Sequence, residues 1–228
     1  MLDALPDDLS APLAHLRAEV LAGIERTVWP AGASRFSINP VHKGNGVGPI
    51  KEALLEHLAK RGWEFERQLC GGEAEMAGPV DAYHEREGLR LCVEWETGNV
   101  ASSYRVVLKM MDALVEGKID AGLLIVSDKR LARYLTDRIG TYDEIAWSLR
   151  MLRKLFQRGY IEVVVMDADR IDTRVPLIPK QASGMGHVPK GAPTKCAPRR
   201  SKPPPASQPT LFEVFDVPED VGRDPPGG

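Results

Sequence analysis

The spacing of apolar residues changes several times along the chain, and each change marks an element. Leu13, Leu16, Val20, Leu21 and Ile24 recur at three- and four-residue intervals, which predicts a helix with Ser10 as its cap, Pro12 in its first turn and an end near Trp29-Pro30. NPVHKGNGVGP is glycine-rich and reads as a loop. It feeds a second helix from Pro49 to about Arg61, with Pro49 suited to the first turn. WEFERQL, Trp63 to Leu69, reads as a strand, and CGGEAEMAG as a connection. Two further strands, near Val80 to His84 and Leu89 to Glu96, flank the turn-like EREG.

Helical spacing returns from Val100 to Glu116, where Gly117 is placed to stop it. IDAGLLIVS is a continuous apolar run of strand length, as expected for a strand covered on both faces. A short helix near Lys129 to Asp137, a helix from Asp143 to Gln157 and a last apolar strand, YIEVVVM, complete the pattern. This order predicts an α/β fold in which a mixed central β-sheet is flanked by helices.

Beyond about Thr173 the composition shifts to proline, glycine, serine and basic residues. Such a segment buries too little apolar surface to offset the entropy of ordering. The expected organisation is one domain over residues 1–173 and a disordered tail over 174–228, interrupted by the apolar island QPTLFEVF.

Period two in the fourth predicted strand carries the chemistry. Alternate strand residues share a face, so Leu89, Leu91, Val93 and Trp95 fall on one side and Arg90, Cys92, Glu94 and Glu96 on the other. If EREG makes the turn, His84 pairs with Leu89 and Asp81 lies diagonal to Glu94. A two-residue slip puts Asp81 directly opposite Glu94. In either register three carboxylates converge. Their mutual repulsion and desolvation call for a neutralising cation, and an all-oxygen donor set suits Mg²⁺. The competing reading is a solvated face of an edge hairpin on which Arg90 pairs with Glu94.

In the following helix, Ser102, Arg105, Lys109, Asp112 and Glu116 form one stripe, and Tyr104, Val107, Leu108, Met111 and Leu114 the expected buried side. The basic half of that stripe begins beside the carboxylates, where it meets phosphates or is simply solvated. His42, Lys43 and Asn45, in the glycine-rich loop, are candidates for phosphate or base contacts. His15 and His57 are expected on helix surfaces, and His84 beside the carboxylates.

Charge refines the picture. The formal net charge of −2 announces no nucleic-acid partner by itself, but its distribution is uneven: residues 174–212 carry seven basic residues and no acid, and the rest of the chain is acidic. Cys70, Cys92 and Cys196 lack the paired spacing of a zinc site and read as reduced thiols, consistent with a cytoplasmic protein. No apolar run reaches membrane-spanning length.

PVDAY, then LCVEWETGN, a helix, and DAGLLIVS together resemble the PD-(D/E)xK nuclease core, in the BamHI/BglII-type restriction endonuclease variant that lacks the final lysine. The matching elements are Asp81, Glu94-Trp95-Glu96, Asn99, the helix after it, Asp120 and Tyr142. The resemblance implies a Mg²⁺-dependent endonuclease acting on double-stranded DNA, a type II restriction enzyme working as a homodimer on a palindromic site. It implies Asp81, Glu94 and the Trp95 carbonyl as metal ligands and Glu96 in the lysine's place at the hydrolytic water. Glu52 and Glu56 are candidates for an accessory glutamate, and Asn99 for base readout. QPTLF is similar to the QxxLF peptide that engages the bacterial sliding clamp, with Gln208, Leu211 and Phe212 as its anchors. Two alternatives stay open: a repair or replication nuclease delivered by a clamp, and a non-catalytic DNA-binding relative.

Overall fold

The computed structural model describes residues 9–69, 78–136, 139–155 and 159–180. Helices α1 (Ser10–Glu25) and α2 (Gly48–Ala59) precede strands β2 (Glu64–Arg67), β3 (Val80–Arg86) and β4 (Leu89–Trp95). Then come α3 (Val100–Val115), β5 (Ala121–Ser127), α4 (Lys129–Ala132), α5 (Tyr142–Leu155) and β6 (Tyr160–Met166). Two short strands, β1 (Ser37–Ile38) and β7 (Arg170–Ile171), pair in parallel as a small second sheet that the apolar pattern did not announce.

The main sheet has five strands in the order β2-β3-β4-β5-β6. β2, β3 and β4 are antiparallel, and β5 and β6 run parallel to β4. The expected mixed sheet flanked by helices is therefore the observed one. Every residue of β4 and β5 is buried. On one face Leu91, Val93 and Trp95 of β4 join Leu123 and Ile125 of β5 beneath Leu16, Val20, Leu54 and Leu58 of α1 and α2. On the other, Cys92, Leu124 and Val126 pack with Val106, Val107 and Met110 of α3 and Ile145 of α5. Period two along the strands thus sorts residues onto two separate cores.

Several boundaries differ from the sequence expectation. Leu9, not Ser10, occupies the capping position of α1, which ends at Glu25, before Trp29-Pro30. The β3–β4 turn is tighter than EREG: Glu87 and Gly88 alone make it, both with positive φ (49° and 81°), as a two-residue hairpin turn twisted to match its strands requires. The shorter turn selects the slipped register, in which His84 pairs with Leu91 and Ala82 with Val93. His57 is buried rather than on the surface, because α2 turns it inward with Leu54 and Leu58.

The packed chain also runs past the boundary expected at Thr173. Asn39 Nδ2 donates to the Val175 carbonyl at 2.7 Å, Trp29 Nε1 to the Pro176 carbonyl at 2.7 Å, and Ile178 is 1% exposed in the core. Buried Ile178 and the hydrogen bonds from Trp29 and Asn39 to this backbone hold the stretch in place. Gln208, Leu211 and Phe212 lie outside the described residues.

Candidate active site

The carboxylates gather at one end of the central strand. Pairing of Ala82 with Val93 carries on to set Asp81 opposite Glu94, and the flanking pairs Phe65–Ala82 and Arg67–Val80 set Glu66 opposite Asp81 on the other side. Three acids thus stand in a row across β2, β3 and β4, with Glu96 just beyond the end of β4. Glu66 has φ 46°, a left-handed conformation uncommon for a residue with a side chain. Backbone of this kind is held by its surroundings and clusters at functional sites.

Two lysines enter the row from different helices. Lys51 Nζ of α2 lies 2.6 Å from Asp81 Oδ1. Lys109 Nζ of α3 pairs with Glu94 Oε1 and donates to the Pro79 carbonyl at 2.7 Å. The second oxygen of Asp81, Oδ2, accepts the Trp95 amide at 2.8 Å, which ties β3 to the strand end. Glu96 Oε1 accepts the Gly98 amide. A Cβ at Gly98 would sit 2.7 Å from that same oxygen and 2.9 Å from Ser102 Oγ, so only glycine lets the chain fold this tightly over Glu96.

Burial sets the electrostatics. Glu94 is 6% exposed and Glu96 7%. Desolvation, then the neighbouring Asp81, pushes the Glu94 carboxyl up to about 7 against the pull of Lys109 and Lys51. Burial also raises Glu66, with Asp81 adding to it, and raises Glu96, where the Gly98 amide works in the opposite sense. Glu94 Oε1 is in direct contact with the Lys109 ammonium, which offsets part of the cost of burying the carboxylate. Among the described residues, no three His, Cys, Asp or Glu groups are gathered as they stand to hold a metal ion. The ammonium groups of Lys51 and Lys109 hold the carboxylate contacts instead.

Asp81, Glu94 and Glu96 are brought together as the strand pattern implied, on a central strand and not on a solvated hairpin. Arg90 does not pair with Glu94: its Nε donates to Asp120 Oδ2 at 2.9 Å at the other end of β4. Lys109 is a correction to the expected phosphate-binding stripe. It is 5% exposed, while Leu108, expected inside, is exposed, because the buried face of α3 is rotated toward Val106, Met110 and Lys109. Asn45 is a second correction. It is fully buried, donates to the Asn39 and Tyr134 carbonyls and accepts the Ile178 amide, so it locks loops together and is closed to bases.

α2 delivers Lys51 to the carboxylates; on the same helix Glu52 is half-buried and Glu56 exposed. The acid missed by sequence reading is Glu66, visible only through cross-strand register. His84 stacks on Trp63 with ring centroids 5.3 Å apart, which spends its ring on packing. Asn99 caps α3, its Oδ1 accepting the Ala101 and Ser102 amides at 3.0 and 3.2 Å. Arg105 is exposed and acts electrostatically on Glu96, and Lys43 is exposed in its loop. The Trp95 side chain is in the core on the face opposite Glu94.

Residues 8–185 match the family model of restriction endonuclease BamHI. The chain belongs to that family. Type II restriction enzyme OkrAI of Oceanobacter kriegii is 37% identical over 167 residues, 73% of this chain and 86% of that protein. Type II restriction enzyme BamHI of Bacillus amyloliquefaciens is 35% identical over 175 residues, 73% of this chain and 80% of that protein. A crystal structure of restriction endonuclease BGLII complexed with a DNA 16-mer aligns at a TM-score of 0.49 and 10% identity, over 70% of this chain and 77% of that one. As a member of the BamHI family the protein is a DNA endonuclease, a phosphodiester hydrolase.

Proposed function

We propose that the protein is a type II restriction endonuclease that cuts double-stranded DNA at a palindromic site, as a homodimer, with Mg²⁺ held by Asp81, Glu94 and the Trp95 carbonyl. The observation that carries this reading is the row of Glu66, Asp81 and Glu94 at the end of a central strand, with Glu96 beside it. The donor set is all oxygen, as a hard divalent cation prefers, and Glu94 is a buried carboxyl whose acidity is lowered by desolvation and by Asp81. Once bound, the cation polarises a phosphodiester and makes its bound water more acidic.

The remaining work falls to the chain's own side chains. Glu96, with its acidity lowered by burial, accepts the proton of the attacking water and is held in place by the Gly98 amide. Glu66 supplies a further carboxylate beside Asp81. Arg105 and Ser102 flank the site on α3, where they meet the phosphate on either side of the cut bond. Lys43 extends this contact from its loop, and Asn99, at the start of α3, faces the same approach.

A homodimer is supported by an apolar face on two adjacent helices. Leu108 and Val115 of α3, and Trp147 and Met151 of α5, are large and exposed. The helices are tied side by side by Tyr104 Oη donating to the Glu144 carbonyl at 3.0 Å. Contiguous apolar surface of this kind is characteristic of an association site. A two-fold axis through it pairs two active sites with two strands of a palindrome. The deciding experiment is incubation of the purified protein with plasmid, with and without Mg²⁺. Discrete fragments with a shared terminal sequence are the expected product, and intact plasmid at all Mg²⁺ concentrations defeats the reading.

A further inference from the structure

Lys109 occupies an unusual place for a buried lysine. Its ammonium sits between Glu94 Oε1 and the Pro79 carbonyl, at the end of the strand where the acids gather. Lys51 makes the matching contact with Asp81 from the other helix layer. One ammonium therefore stands against each of the two acids at the centre of the row. Together they bring two positive charges to the place where one divalent ion would bring the same two.

We propose that Lys51 and Lys109 are resident stand-ins for the divalent cation, and that cation binding displaces Lys109 from Glu94. This inference rests on the cation reading given above. Four acids crowd this end of the sheet; Glu96 has the Gly98 amide and Arg105, and the lysines balance Asp81 and Glu94. Like charges that close oppose both folding and the approach of DNA phosphates. With the lysines in place the protein folds, and meets DNA, before the cation arrives. Lys109 is thus a positioning residue, acting through Glu94.

Competition for one oxygen gives a signature that a merely structural lysine lacks. Removing Lys109 leaves Glu94 buried without its cation, which lowers stability in the absence of metal. The same removal frees Glu94 Oε1, which raises affinity for the divalent ion. The two sites are coupled, so a gain on one side is a loss on the other.

The test uses the full-length protein and the variants K109M, K109R and E94Q/K109M. In EDTA, thermal melting should fall for K109M, hold for K109R and be regained by the double variant, in which both charges are gone. Calorimetric titration with Mg²⁺ should show K109M binding roughly tenfold more tightly than the unsubstituted protein. Affinity for a short duplex in EDTA should fall in K109M and return when Ca²⁺ is added. If the unsubstituted protein binds Mg²⁺ and K109M binds it equally or more weakly, Lys109 is not a competitor and the inference is overturned. If the unsubstituted protein binds no Mg²⁺, the cation reading itself is lost and this inference with it. Should K109M fail to fold, K51M carries the same measurement at Asp81: tighter Mg²⁺ binding supports the stand-in role, and equal or weaker binding overturns it.

Discussion

The two ends of β4 each hold a buried ion pair, and the pairs are built to different standards. At the start of the strand, Arg90 is 2% exposed. Its Nε and Nη2 donate to the two oxygens of Asp120 at 2.9 and 3.1 Å, Nη1 donates to the Gly117 carbonyl at 2.5 Å, and its amide donates to Asp120 Oδ2 at 2.9 Å. At the end of the strand, Glu94 has a single ammonium, Lys109, which it shares with the Pro79 carbonyl, and Asp81 stands beside them as a like charge. A buried pair stabilises when hydrogen bonds complete its geometry, and an incomplete one costs stability in the low dielectric of the interior. The finished pair locks the β4–β5 crossover. The unfinished pair shares its end of the strand with a second acid, Asp81, and a second ammonium, Lys51.

Substitution at the unfinished end should affect chemistry most. Asp81→Ala or Glu94→Ala is expected to lower cleavage at least roughly a thousandfold, since residues that act as a unit fail together. Binding to a short duplex should persist, because removing negative charge does not oppose phosphates. A variant that cuts plasmid at the unsubstituted rate would move the active site elsewhere.

At the finished end the loss should appear in stability. Arg90→Met removes the guanidinium from the half-buried Asp120 carboxylate and from the Gly117 carbonyl and is expected to cost about 1–3 kcal/mol in denaturant unfolding. Cleavage by the molecules that remain folded should be unchanged, and a variant that unfolds normally but cuts poorly would erase the contrast between the two ends.

Acidity gives a smaller and more specific contrast. Glu94 holds its proton up to about 7 in the folded state, and Glu66 and Glu96 are also raised. The folded protein then binds protons that the unfolded chain has already released. Stability from these groups is present below the ordinary carboxylate range and lost as pH rises through about 7. Melting in EDTA should fall between about pH 5 and pH 8, by an amount on the order of 2 kcal/mol, and Glu94→Gln should flatten most of the slope. Glu162 has the opposite sense: burial pushes it up, but hydrogen bonds from Arg17 and Tyr160 carry it lower overall, so its contribution is lost only in acid. A flat profile for the unsubstituted protein over pH 5–8 would contradict the burial of Glu94.

Arg105→Ala should have the mildest effect. It is exposed, so its loss is expected to weaken DNA binding of every sequence and lower the salt dependence by about one counterion. An unchanged salt slope would take Arg105 off the DNA surface.

The sheet and its acids were legible because period two does not depend on what packs above a strand. Asp81, Glu94 and Glu96 share a face in any register of that hairpin that keeps the pleat. Glu66 was hidden because it joins the row through pairing between β2 and β3 across a long connection, and nothing in WEFERQL marks its backbone as left-handed. Lys51 and Lys109 were hidden for another reason. A lysine in a helix stripe reads as solvated, and only the carboxylates beneath it reveal that it points inward. Asn45 misled in the same way, since a polar residue between glycines resembles a contact loop until its three buried hydrogen bonds are counted.

Asn45 also ties together segments far apart in sequence. Its Oδ1 accepts the amide of Ile178, 133 residues away, and Arg17 on the first helix reaches Glu162 on the last long strand, 145 residues away. The loop that precedes α2, and with it Lys51, is therefore completed by residues made more than a hundred positions later. A nascent chain still short of Ile178 cannot close these contacts, and contacts this distant in sequence are slow to form. A product terminated before Ile178 lacks the clasp on the loop that leads into α2 and Lys51.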